Sequence, residues 1–127
     1  MFAETKAFSG FAVDDLEAAQ QFYGETLGLD VSVIDEGNLI SLDLAGDRPT
    51  LVYIKPDHTP ATYTILNFPV DDIDAAAAEL ASRGVEFERY EGMGHDDNGV
   101  SRNPEGPPIA WFKDPAGNIL SVLEEQP

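Results

Sequence analysis

The stretch FAVDDLEAAQQFYGETLGLDV, which begins at Phe11, is echoed by FPVDDIDAAAAELASRGVEF, which begins at Phe68. Aligning Val13 with Val70 sets Asp14 and Asp15 on Asp71 and Asp72, Leu16 on Ile73, Glu17 on Asp74, and Ala18 and Ala19 on Ala75 and Ala76. Gly28 meets Gly84 only after a slip of one residue. Two copies exclude a solenoid, which needs at least three stacked repeats. A two-fold duplicated domain is the reading that remains.

Each copy opens on a strand pattern, KAFSGFAV and YTILNFPV, rich in aromatic and branched residues. A helix follows. Asp14 with Glu17, and Asp71 with Asp74, stand where an N-cap and an acidic third position satisfy free amides and suit the helix dipole. Capping, not catalysis, is therefore the expected work of both Asp pairs. The buried faces are expected to be Leu16, Ala19, Phe22 and Tyr23 in the first helix, and Ile73, Ala76, Ala77 and Leu80 in the second. Gly28 and Gly84 are placed as helix-terminating glycines.

Three strand candidates come after each helix: DVSVID, LISLDL and TLVYIK, then VEFERY, IAWFKD and ILSVLE. DPAGN joins the last two through a tight turn at Pro115 and Gly117. The order is β-α-β-β-β twice, an α+β fold of two modules at about 5–56 and 62–125 within one domain of 127 residues. One connection, residues 91–108, is longer than compact domains usually carry, and loops of that length tend to be functional or mobile.

Composition narrows the function. There is no cysteine, which removes disulfides, thiol chemistry and the usual structural zinc sites. Twenty-four acidic residues against 7 Lys and Arg give a formal net charge of −17. Such a surface repels phosphate backbones and anionic lipids, so neither nucleic acid nor a membrane is an expected partner. With no secretory or membrane-spanning pattern, a cytoplasmic location is expected. The acidity itself is ascribed mainly to solubility, with attraction of a cationic ligand as the functional alternative.

The doubled module, together with VDDLEAAQQFYGETLGLDV, VDDIDAAAAELASRGVEF and AWFKDPAGNILSVLE, resembles the vicinal-oxygen-chelate superfamily over essentially the whole chain. That group contains glyoxalase I, bleomycin-resistance proteins and extradiol dioxygenases. The resemblance implies a cupped mixed sheet with the helices outside, a homodimer, and in the enzymes a divalent metal held by His, Gln and Glu. The implied ligand positions are five residues before Val13 and Val70, which are Phe8 and Ile65, and the position after the Asp-Pro-x-Gly turn, Ser121. The fourth falls at about Val52 or Tyr53. Phe and Ile have no lone pair to donate, so no metal or other cofactor is expected. The two histidines do not restore a site: His58 in KPDHTPAT and His95 in GMGHDDNG are read as solvent-facing loop residues.

Strand alternation then defines the lining. Phe8 and Gly10 share a face, as do Tyr63, Ile65 and Asn67, and as do Ile119, Ser121 and Leu123. Tyr53, with Trp111 or its neighbour Phe112, is expected to add to them. Phe8, Gly10, Tyr53, Tyr63, Ile65, Asn67, Trp111 and Ser121 are thus the candidate ligand-binding residues, and no catalytic residue can be named. Aromatic walls with a few polar groups suit a small hydrophobic or cationic organic molecule. The alternative is a lyase, isomerase or dioxygenase of the same superfamily. It would work either without metal or through a site involving His95, Asp96 and Asp97.

Overall fold

A computed structural model describes residues 1–125. The chain divides into two compact units, Met1–Pro60 and a second from Ala61 onward. Each is a four-stranded mixed sheet with one main helical segment, unit one adding a short 3-10 turn at Asp35–Gly37, and each follows the expected β-α-β-β-β order.

In unit one, β1 (Ser9–Val13) leads into α1 (Leu16–Gln21). β2 (Val31–Ile34), β3 (Leu39–Leu44) and β4 (Arg48–Ile54) complete the sheet in the order β1-β4-β3-β2. β1 and β4 run parallel, with Gly10 beside Leu51 and Val13 beside Ile54. The other pairs are antiparallel. Alternate residues point to opposite faces. One face sends Ile40, Leu42, Thr50 and Val52 into the core with Ala19 and Tyr23 of the helical segment, and all six are buried.

The Asp pairs do cap, but the capping residue is the second of each. Asp15 and Asp72 hold extended backbone and accept from the amides of Ala18 (3.0 Å) and Ala75 (3.1 Å). Asp14 and Asp71 sit one position too early to reach those amides. The first helix also ends unusually. After Gln21 the chain passes into a π-turn, Phe22–Thr26, in which the Leu27 amide donates to the Phe22 carbonyl at 2.9 Å. A π-turn holds one more residue than an α-turn. It absorbs the one-residue slip between the two copies and keeps Tyr23 fully buried against Phe11 and Phe22.

In unit two, β5 (Thr64–Val70), α2 (Ile73–Ser82), β6 (Phe87–Glu88), β7 (Ile109–Lys113) and β8 (Ile119–Glu124) give the order β5-β8-β7-β6. α2 closes on Gly84, with the Val85 amide donating to the Leu80 carbonyl at 3.0 Å. Glu124 reaches back from β8 and accepts from the first amide of α2, that of Ile73, at 3.1 Å. Ile73, Ala77, Leu120, Val122, Ala110 and Phe112 form the core. VEFERY contributes a strand of only two residues, because the chain beyond Glu88 turns into the 91–108 connection.

Candidate functional site

The DPAGN turn fixes the register on which the site depends. Asp114 is buried, and its carboxylate accepts from the amides of Ala116 (3.0 Å) and Asn118 (2.8 Å) and from the Asn118 side chain (2.9 Å). That closed turn sets Trp111 opposite Ser121 and Phe112 opposite Leu120. Across the sheet, Asn67, Ser121, Trp111 and Glu88 therefore form one row on the face away from the core. Thr64, Ile119 and Lys113 form the next row on that face. Phe112 belongs to the opposite face, where it packs edge-on against Phe87, so Trp111 is the aromatic side chain presented on the open side.

A cavity of about 270 Å3 lies on this open face, lined by Thr62, Tyr63, Thr64, Tyr90, Met93, Trp111 and Ile119. Its volume falls just under the usual range for small-molecule sites, about 300–1,000 Å3, and suits one ring system or one end of a larger molecule. Tyr90 meets Trp111 edge-to-face at 5.3 Å between centroids, and Met93 adds an adaptable thioether. Burial, and then the Glu88 carboxylate, raise the Tyr90 phenol above its ordinary value, with Lys113 opposing, so the hydroxyl stays protonated at neutral pH. Beside the cavity, the buried Ser121 hydroxyl donates to Asn67 Oδ1 at 2.6 Å, and Asn67 is itself exposed with an amide NH2 to offer. On the other side of Trp111, Lys113 pairs with Glu88 at 3.3 Å.

The long connection makes the outer wall, and it is ordered by its own bonds. Residues 90–93 turn back, with the Met93 amide on the Tyr90 carbonyl, and the Ser101 hydroxyl donates to the Met93 carbonyl. Ser101 also pairs with Ile109 at the start of β7. Asp96 organises the tip by accepting from the amides of Asn98 (2.9 Å) and Val100 (3.0 Å) and from Arg102 Nε (3.1 Å). Partial burial opposes its charge, but the Arg102 bond and the two amides outweigh it and hold the carboxyl below the ordinary aspartate value. His95 is not a solvent-facing residue. It is half-buried, and both ring nitrogens carry hydrogen bonds. His58 is likewise half-buried.

The sequence-derived candidates divide between the units. Tyr63 and Trp111 come together in the cavity, and Asn67 and Ser121 lie in Trp111's row. Ile65 falls in a β-bulge, where the register against β8 shifts between Thr64 and Leu66. In unit one, Gly10 and Tyr53 share the face opposite α1, and Phe8 precedes β1 with 60% of its surface exposed. Tyr90, Met93 and Thr62 escaped sequence reasoning, and His95 is read there as a solvent-facing loop residue or a ligand in an alternative site, not as a support of the wall. The length of the 91–108 connection was the one signal pointing to Met93 and His95, and nothing pointed to Tyr90 or Thr62.

A second, larger groove of about 570 Å3 runs beside the π-turn in unit one and is bordered by Glu17, Glu25 and Asp30. It has no aromatic wall, and acidic side chains on an open surface are what a solvated face carries.

The metal positions implied by the resemblance can be checked against register. Val13 pairs with Ile54 as Val70 pairs with Glu124, so the counterpart of Ser121 in unit one is Leu51, neither Val52 nor Tyr53. Val52 is buried on the core face. Phe8, Leu51, Ile65 and Ser121 offer three hydrocarbon side chains and one neutral hydroxyl, a donor set that does not fit a divalent cation. Among the described residues no group of three or more His, Asp or Glu side chains converges as metal ligation requires.

Doubled β-α-β-β-β units whose first strand pairs in parallel with the last define the class of paired mixed-sheet proteins. Within that class the chain belongs to the Glyoxalase/Bleomycin resistance protein/Dioxygenase superfamily, whose family model matches residues 7–122. Among solved structures it is similar to TnmS3, an antibiotic binding protein from Streptomyces sp. CB03234, with 27% identity, a TM-score of 0.68, and coverage of 94% of this chain and 96% of that one. It shares the fold of a superfamily member from Sphaerobacter thermophilus (24% identity, TM-score 0.70, 94% and 97% covered). It also shares the fold of a lactoylglutathione lyase from Agrobacterium tumefaciens (23% identity, TM-score 0.66, 95% and 95% covered). No curated protein matches. No helix of the described residues is long and apolar enough to cross a membrane.

Proposed function

We propose that this chain binds a small, partly apolar or cationic organic molecule in the aromatic cavity of unit two, without a divalent metal. The observation that carries the reading is the lining itself. Tyr63, Tyr90, Met93, Trp111 and Ile119 form an uncharged pocket, and the Asn67–Ser121 pair stands beside it as a hydrogen-bonding edge. Aromatic faces attract cations, and the net charge of −17 concentrates cations at the surface. The antibiotic-binding relative supports a binding role over a catalytic one. The Phe, Leu, Ile and Ser donor set supports metal independence, and His95 and Asp96 already spend their polar atoms inside the loop. Phe8, Gly10 and Tyr53 belong to the proposal as a second contact surface on unit one, and so does a cytoplasmic homodimer.

The test is titration of the intrinsic fluorescence of Trp111, the single tryptophan, with a panel of planar aromatic and cationic compounds before and after chelator treatment. Binding should survive chelation, and Trp111→Ala, followed by titration calorimetry because it removes the fluorophore, should weaken it at least about tenfold, as loss of a central aromatic anchor does. Stoichiometric zinc, nickel, iron or manganese in protein purified without chelator would instead favour the enzymatic reading.

A further inference from the structure

His95 stands behind the pocket wall and not in it. Its Nε2 lies 2.9 Å from the Tyr90 backbone nitrogen, and its Nδ1 lies 2.8 Å from the Gly99 carbonyl oxygen. A backbone N–H can only donate, so Nε2 must carry a lone pair. A carbonyl can only accept, so Nδ1 must carry the proton. Only the neutral Nδ1–H tautomer satisfies both. The ring also packs on the two aromatic walls, 6.1 Å from Trp111 and 6.3 Å from Tyr90 between centroids.

We infer that His95 is the positioning residue of the aromatic pocket, and that it holds the Tyr90–Met93 wall against Trp111 only while its Nε2 is unprotonated. A second proton would turn Nε2 into a donor facing another donor. The bond to the Tyr90 amide would break, and the turn that carries Tyr90 and Met93 would lose its anchor at the Tyr90 end, with the Ser101–Met93 bond holding the other. The surrounding charges are committed elsewhere and do not compensate. Within the loop, the Asp96 carboxylate is taken by Arg102 and two amides. Arg89, beside β6, donates to the Asp96 and Asp97 carbonyls at 2.9 and 3.0 Å. Glu88 of β6 is paired with Lys113 of β7, and the Tyr90 phenol stays neutral.

The structural claim stands without a ligand, while its effect on affinity rests on the binding reading above. Both can be followed separately. In ligand-free protein, Trp111 fluorescence should show a single-proton transition on acidification, as the Nε2 lone pair that accepts from the Tyr90 amide is lost. The transition should persist in His58→Gln, which leaves His95 as the one histidine, and vanish in His95→Gln. A flat profile in wild type, or a transition that survives in His95→Gln, overturns the inference. If His95→Gln does not fold, proton NMR of His58→Gln decides. The remaining imidazole and the Trp111 indole resonance should titrate together, and separate midpoints overturn the inference. Proflavine, a planar cation at neutral and mildly acid pH, serves as the binding probe. Its affinity should fall about threefold to tenfold on the acid side, the worth of one hydrogen bond. If proflavine fails to bind at neutral pH while the ligand-free transition persists, the binding reading is what fails.

Discussion

Gly99 tests how the pocket wall is built. Its carbonyl receives the His95 Nδ1–H, its φ is +90°, and a Cβ placed on it would stand 2.7 Å from the Phe87 Cβ and 3.2 Å from the Phe87 Cγ. Phe87 cannot swing away, because its Cβ is tied to the β6 backbone and its ring packs edge-on against buried Phe112. Gly99→Ala therefore carries roughly 1–2 kcal/mol of left-handed backbone strain. It adds about 1–3 kcal/mol of overpacking, and about 1 kcal/mol more if the His95 bond is pulled apart. At about 4 °C per kcal/mol for a chain of this size, the melting temperature should fall by on the order of 10–20 °C. Two variants on the same loop separate the contributions. Gly92 has φ +81° with nothing within 4 Å, so Gly92→Ala isolates backbone strain. Gly106 has open space without the positive φ, so Gly106→Ala should fall within about 0.5 kcal/mol of wild type. Calorimetry or thermal circular dichroism ranks the three. If Gly99→Ala destabilises no more than Gly92→Ala, the packing of this loop on Phe87 is not as described.

Three other perturbations have directions fixed by the structure. Asp15→Ala and Asp72→Ala should each cost about 1 kcal/mol in denaturant melts, while Asp14→Ala and Asp71→Ala should cost almost nothing; equal effects would contradict the cap assignment. Because the Asp96 carboxyl titrates below the ordinary value of 3.8, its stabilisation is complete above that pH and is lost as pH falls through the lower folded value. Acid melts should therefore be shallower in Asp96→Asn than in wild type below about pH 4, and parallel curves would refute this. Ser121→Glu returns a carboxylate to an implied ligand position but buries it where the surface exposure is 0%. It should cost roughly 2–4 kcal/mol and should take up no zinc in equilibrium dialysis, since Phe8 and Ile65 still donate nothing.

The fold could be read from the repeat because helix caps, glycine terminators and strand alternation act over a few residues. LISLDL and ILSVLE form β3 and β8 at the expected bounds, and Gly84 ends α2 where the pattern put it. The choice between Asp14 and Asp15 needed backbone angles, since both offer the same carboxylate one residue apart. The one-residue slip was visible in the alignment, but only the hydrogen bonds place it in a π-turn. Half of the candidate site was open to alternation arguments: Trp111, Ser121 and Asn67 follow from strand parity once the DPAGN turn sets the register. Tyr90, Met93 and His95 were not legible. Tyr90 closes the VEFERY strand pattern, Met93 and His95 sit in a connection with no periodicity, and the positions of all three depend on contacts with Trp111, Gly99 and Ser101.

The parallel pairing of first strand with last also sets how each unit can form. Ser9 meets Thr50 across 41 residues of chain, and Asn67 meets Ser121 across 54. Among the described residues β1 pairs only with β4 and β5 only with β8, so each waits for the last strand of its own unit before it can join a sheet. Such long closures slow folding. During synthesis β5 is an apolar ribbon without a partner until β8 has followed it. Asn67, a polar side chain in the middle of that ribbon, keeps it from being uniformly sticky during the wait.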